Sequence, residues 1–202
     1  MSKISSYSND STPSLSDKLI GTDSGDSDNT KNFTLGQITT LINQNTSYTS
    51  VLVATSTVTQ APSSLGVAQQ VTFGAAQKTS SDPVMIDSNG LITFNQTGTY
   101  ILNGFGNLER QGSSGGVAII LFRFLVNGTQ ATSTKGIHLD TTGVSIPYET
   151  TMPVTITTAG TTAAFQIMRD ASGVNYGGLY PHTNTSGWSN VPSAEVNIWK
   201  LT

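Results

Sequence analysis

Cysteine is absent from the 202 residues of the chain. This excludes disulfide staples, thiolate nucleophiles and cysteine-based zinc sites, and leaves the redox compartment open. Charge is scarce as well: only 10% of residues are Asp, Glu, Lys or Arg, against roughly a quarter in an ordinary globular protein. With a net charge of −3 there is no basic footprint for nucleic acid. Long apolar runs are missing too. The longest, Val117–Leu121, falls far short of the roughly 20 residues that span a bilayer, so no membrane insertion is expected. Met1–Ser6 leads into no apolar segment of secretory type. The expectation is a soluble chain made in a cytoplasm.

Reactive groups are equally sparse. His138 and His182 are the histidines, and neither stands at the spacing of a metal-binding pair. His138 and Asp140, two residues apart, would point the same way on a strand, but no serine in a nucleophile elbow accompanies them. The glutamates are Glu109, Glu149 and Glu195. No two are close enough in sequence to suggest a glycosidase pair, which leaves their spatial pairing open. Gly112–Gly116 is glycine-rich but lacks the lysine of a phosphate-binding loop. Asp23, Asp26 and Asp28 lack the glycine and closing glutamate of a calcium loop and read as a solvated turn. The sequence calls for no catalytic residue, no cofactor and no metal.

What is present changes texture near residue 50. Residues 1–50 form a polar N-terminal arm with too few large side chains for a core. Within it, Asp17–Asp23 reads as a short strand closed by a glycine turn at Gly21. A short helix is expected over about 34–44. Thr34 and Gln37 have the spacing of a capping box, and Phe33 with Ile38 that of a hydrophobic staple. Leu35, Ile38, Leu41 and Ile42 line one face of that helix, which covers either a partner or one end of its own β-domain. Residues 51–67 read as a linker or a first strand. Residues 68–202 carry short, Thr-rich, alternating segments between Gly, Asn and Ser, the pattern of an all-β sandwich or barrel of about eight to ten strands. Asn89-Gly90 and Asn127-Gly128 are tight hairpin signals. Val117–Val126 is so continuously apolar that it suits a strand buried on both faces, and no helical period follows residue 50.

Two resemblances add to this. Across residues 13–42, the segments KLIGTD and TKNFTLGQI resemble the N-terminal part of many tailed-bacteriophage virion proteins. There the segment is an attachment module ahead of a variable domain. This implies that Leu19, Ile20, Gly21, Phe33, Leu35 and Ile38, with the capping pair Thr34 and Gln37, dock on a neighbouring virion protein or on the start of the β-domain. Across residues 68–202, the pattern NGxITFNxxGTYIL from Asn89 and the closing strand EVNIWKL are similar to C1q- and tumour-necrosis-factor-like domains. That resemblance implies a ten-stranded jelly-roll β-sandwich that forms a homotrimer around an apolar axis. Tyr100, Ile198, Trp199 and Leu201 are then the trimer-interface candidates.

One loop stands apart. Ala171–Pro192 carries Tyr176, Tyr180, His182 and Trp188 among Gly, Asn and Ser. Flat rings among small polar residues suit sugar faces or protein contacts, and equally suit packing on the sandwich itself. The expectation is a phage virion structural protein, a capsid-attached head fibre or decoration appendage. Its partners would be copies of itself and another capsid or tail protein. The alternative is a tail-fibre or baseplate module that recognises host surface glycans.

Overall fold

A computed structural model of the chain describes residues 14–16, 18–23, 29–44, 48–112, 115–184 and 186–201. They fall into two compact units, one ending at Ser47 and one spanning Tyr48–Leu201. The calcium-loop residues Asp26 and Asp28, and the arm before Ser14, lie outside the described residues.

In the first unit, β1 (Lys18–Asp23) and β2 (Asn29–Thr34) pair antiparallel, Lys18 opposite Thr34 and Asp23 opposite Asn29. Gly21 therefore lies inside a strand, opposite Lys31, and does not close a turn. The polar run Asn29–Asn32 hides β2 from a hydrophobicity reading. The chain passes from β2 directly into α1 (Leu35–Gln44). The cap has the expected geometry: the Gln37 amide donates to Thr34 Oγ1 at 3.1 Å, and the Thr34 amide donates to Gln37 Oε1 at 2.9 Å. A third orphan amide of the first turn, that of Gly36, donates to the Leu15 carbonyl at 2.8 Å. No described helix is long and apolar enough to cross a membrane.

The second unit runs β3 (Tyr48–Ser56), β4 (Ala68–Gln70), β5 (Val84–Ile86), β6 (Ile92–Phe94), β7 (Gly98–Glu109), β8 (Ala118–Val126) and β9 (Thr129–Gln130). It continues with β10 (Lys135–Leu139), β11 (Ser145–Ile156), β12 (Thr161–Arg169), β13 (Gly178–Leu179) and β14 (Ala194–Leu201). One sheet has the order β11-β7-β14-β3, the other β10-β8-β12-β6-β5. The short strands β13, β4 and β9 attach to β7, β12 and β8. Taking β3, β6, β7, β8, β10, β11, β12 and β14 as successive strands, the first, eighth, third and sixth make one sheet. The second, seventh, fourth and fifth make the other. That interleaving is the jelly roll.

The sandwich starts earlier than residue 68. β3 pairs along its length with β14, from Ser56 opposite Ala194 to Tyr48 opposite Leu201, so residues 51–56 belong to a strand. Alternation produces the core. Leu52, Ile92, Phe94, Tyr100, Leu102, Phe124, Val196 and Ile198 point between the sheets and are fully or almost fully buried. β8 is less enclosed than its sequence suggests, because its outer face, with Ile119 and Leu121, is only half covered. Asn127 and Gly128, at φ +47° and +74°, turn β8 back into β9. Both angles are positive, as a two-residue hairpin of this twist requires. Prolines 147 and 153 both fall in β11, an outermost strand of its sheet. An outer strand is where a missing N–H is tolerated, so Ser145–Ile156 runs as one strand through both prolines.

Candidate functional site

The register of the first sheet assigns every residue to its inner or outer face, and the outer face reads as a series of rows. Ser50, Trp199, Ile101 and Pro153 stand opposite one another across β3, β14, β7 and β11. The next row is Val53, Asn197, Asn103 and Thr151, in which the Asn103 amide donates to Thr151 Oγ1 at 3.0 Å. Then come Thr55, Glu195, Phe105 and Glu149. Beyond them lie Asn107 opposite Pro147 and Glu109 opposite Ser145. One end of this face is apolar: Tyr48 and Val53 are 56% and 51% exposed, and Trp199 and Leu201 are half-buried. The other end carries all three glutamates of the chain. No lysine or arginine stands in these rows.

This register corrects two of the interface candidates. Tyr100 and Ile198 have zero exposure and lie inside the sandwich, because side chains alternate across a strand and these two fall on the inner face. The Tyr100 ring lies 4.8 Å from that of Phe94, and its hydroxyl donates to the Gln96 carbonyl at 2.9 Å. Burial raises its pKa above the ordinary 10.0. Trp199 and Leu201 have the outward register.

Beyond the glutamate rows the outer face opens into a cleft of about 630 Å³ lined by Phe105, Asn107, Glu109, Gly143, Ser145, Pro147, His182 and Val191. Ser145 Oγ donates to Glu109 Oε2 at 3.2 Å, and the Gln111 side-chain amide donates to the other carboxylate oxygen. The long loop supplies the remaining wall. Its entry is fixed by β13 and by a two-way backbone bridge between Gln60 and Leu179, both bonds 2.8 Å. Asn107 then ties it to β7, donating from Nδ2 to the Tyr180 carbonyl at 2.7 Å and accepting the Tyr180 amide at 2.9 Å. His182 and Val191 exchange backbone hydrogen bonds of 3.1 and 2.9 Å, which closes the base of an excursion. At its exit, buried Ser193 donates to the Ser56 and Val58 carbonyls at 3.0 and 2.7 Å.

The four loop candidates separate. Tyr176 lies against Gly112, so closely that a Cβ there would meet its ring at 2.5 Å. Tyr180 turns back toward β7, and burial raises its pKa, the nearby Arg169 opposing this and Glu109 adding to it. Tyr180 is a packing residue, whereas Tyr176 packs one side of its ring on Gly112 and keeps 36% of its surface exposed. His182 is exposed and lines the cleft, and Trp188, on the excursion, is 80% exposed. The sequence reading missed Phe105, Glu109 and Ser145 as parts of the same cleft. The one available signal was that every glutamate of the chain falls at an outward position of a strand.

The attachment candidates are likewise divided. Leu19 pairs with Phe33 across the hairpin and is 49% exposed, and Leu15 beside it in sequence is 66% exposed. Phe33, Leu35 and Ile38 are half-buried and Gln37 is exposed. The side chain of Ile20 lies outside the described residues.

Among the described residues no cluster of His, Asp or Glu is arranged to hold a metal ion. No protein-family model matches the sequence, and no curated protein matches it. The solved structures similar to this chain include two of low identity. The globular domain of zebrafish complement 1qA protein shares 14% identity over 78% of this chain and 98% of its own, with a TM-score of 0.40. A family 35 carbohydrate-binding module from an environmental isolate shares 12% identity over 75% of this chain and 98% of its own, with a TM-score of 0.29. The strand order given above, independent of either likeness, defines the jelly roll.

Proposed function

We propose that the chain is a structural protein of a tailed-bacteriophage particle, a non-catalytic homotrimeric appendage of the head. Its N-terminal unit docks on another virion protein and its jelly roll faces outward. The observation that carries this reading is the state of the N-terminal unit. It is a hairpin leading into a capped helix, prepared as a rigid element by the reciprocal Thr34–Gln37 bonds, yet it leaves Leu15 and Leu19 largely in water. A segment this short cannot bury a core of its own. Each such side chain would contribute about 1.5–3 kcal/mol if covered by a partner, and the preformed cap lowers the ordering cost of docking. The resemblance of residues 13–42 to phage attachment segments names the class of partner. Three arms on one trimer would act together and multiply a modest single-arm affinity.

The test is deletion of residues 1–47 in the phage that encodes the chain. The expected outcome is a folded, soluble jelly roll that is missing from purified particles, with the full-length protein recovered on tail-less heads. Full occupancy of the truncated protein on particles would place the anchor elsewhere and overturn the reading. Recovery only with tails would favour the tail-fibre alternative.

A further inference from the structure

We propose that the cleft lined by Phe105, Glu109, Ser145, Pro147, His182 and Val191 binds an uncharged oligosaccharide, and that Trp188, which stands outside this lining on the turn between His182 and Val191, stacks on a further ring of the same chain. The site does not depend on the particle reading. A volume of about 630 Å³ lies inside the range of roughly 300–1,000 Å³ typical of small-ligand sites. Its chemistry is mixed in the way a pyranose requires. Phe105 and Pro147 offer apolar surface to the C–H face of a sugar ring, while His182, Ser145 and Glu109 offer donors and acceptors to its hydroxyls.

Trp188 is the second observation. Its indole is 80% exposed, more than any other large hydrophobic side chain of the described residues. Its neighbours Ser186, Gly187, Ser189 and Asn190 are small and polar, so the rings have no bulky cover. The described residues of the excursion that carries it are tied to one another. The Asn184 backbone amide donates to Asn190 Oδ1 at 3.1 Å, its side-chain amide donates to the Ser189 carbonyl, and the His182–Val191 bridge closes the base. An aromatic ring with two side-chain torsions, carried on a hydrogen-bonded turn, loses little conformational freedom on contact with a ligand.

Charge then selects among sugars. Phe105 stands in register between Glu149 and Glu195, with Glu109 farther along the same face and no basic residue in these rows. A uronate, sialate or phosphorylated sugar brought here would meet like charge with no lysine or arginine in these rows to offset it, and like charges at this range oppose binding. An uncharged glycan would not.

The experiment uses the full-length chain and an array of oligosaccharides, uncharged hexose and N-acetylhexosamine oligomers beside uronate and sialylated ones, followed by titration of each hit. Binding is expected from one or more uncharged members and from none of the anionic ones. Trp188→Ala should weaken binding at least about tenfold while the thermal unfolding midpoint stays unchanged, as expected for an exposed residue that contributes stacking. Glu149→Gln with Glu195→Gln should admit anionic sugars that the native chain rejects. The proposal fails if no uncharged oligosaccharide binds, if the Trp188→Ala chain binds as tightly as the native one, or if the native chain prefers an anionic sugar.

Discussion

Gly90 shows how one atom can decide stability in this fold. At φ +82° it occupies a conformation that side chains oppose, and a Cβ placed there would lie 2.0 Å from the Val71 carbonyl oxygen. Gly160 has nearly the same φ, +84°, with nothing within 4 Å of a built Cβ. Replacing each by alanine therefore separates the two costs. Gly160→Ala should lose about 1–2 kcal/mol, the left-handed penalty alone. Gly90→Ala should lose more than about 3 kcal/mol, because backbone must also move. By calorimetry this corresponds to a midpoint lowered by about 3–5 °C in the first case and about 10 °C in the second. Equal shifts would mean that the contact with Val71 relaxes freely. The buried tyrosines set a second expectation at this scale. Burial raises the pKa of Tyr100, Tyr148 and Tyr180 above 10.0 in the fold. Their neutral forms are therefore favoured in the native state, and this contribution is fully present below the unfolded value of about 10. As pH rises through that value the unfolded chain releases protons first, so stability falls. Unfolding midpoints measured from about pH 9 to about pH 11 should decline, and the decline should be smaller in Tyr100→Phe.

At the scale of elements, the cap of α1 and the edge of β11 are the two devices most open to test. Thr34→Ala removes one half of the capping box and should cost about 0.5–2 kcal/mol of local helix stability. Hydrogen exchange should then quicken across Leu35–Gln44 while the jelly roll, a separate compact unit, keeps its unfolding midpoint. Among the described residues, β11 pairs with β7 on one side and with no strand on the other. Pro147 and Pro153 deny a foreign strand two donors on that edge. Replacing both with threonine should increase aggregation at unchanged fold, as read by light scattering. These elements also show where sequence reasoning reaches. The cap was legible because its four-residue spacing is local, and the Asn127-Gly128 turn because its positive φ angles select those residue types. β2 was not, since Asn29–Asn32 carries no apolar period. The glutamate face was not either. Glu109, Glu149 and Glu195 lie far apart in the chain, and only the register of three strands brings them onto one surface. For the last strand, Ile198, Trp199 and Leu201 made both faces apolar, so the sequence did not say which side turns inward.

For the whole molecule, that inward-outward division bears on assembly. The proposed trimer needs a surface that loses water on association, and the outer face of the first sheet offers one only at one end. Tyr48, Val53, Ile101, Pro153, Trp199 and Leu201 share that end, while the opposite end carries three carboxylates. Burying the acidic rows against copies of themselves would desolvate like charges with no described cation in the rows to offset them. An axis through the apolar end avoids that cost and leaves the cleft beside Glu109 open to solvent. It also covers β3, the outermost strand of its sheet, whose exposed Val53 and Tyr48 would otherwise invite pairing or aggregation. Closed cyclic association is the form in which such a surface is satisfied without growing into a filament. The full-length chain is therefore expected to sediment as a trimer at micromolar concentration. Val53→Glu combined with Trp199→Glu should sediment as a monomer whose thermal unfolding still shows a folded sandwich, since both side chains point away from the core. Persistence of the trimer in that variant would move the interface to another face, and a monomeric native chain would remove the trimer altogether.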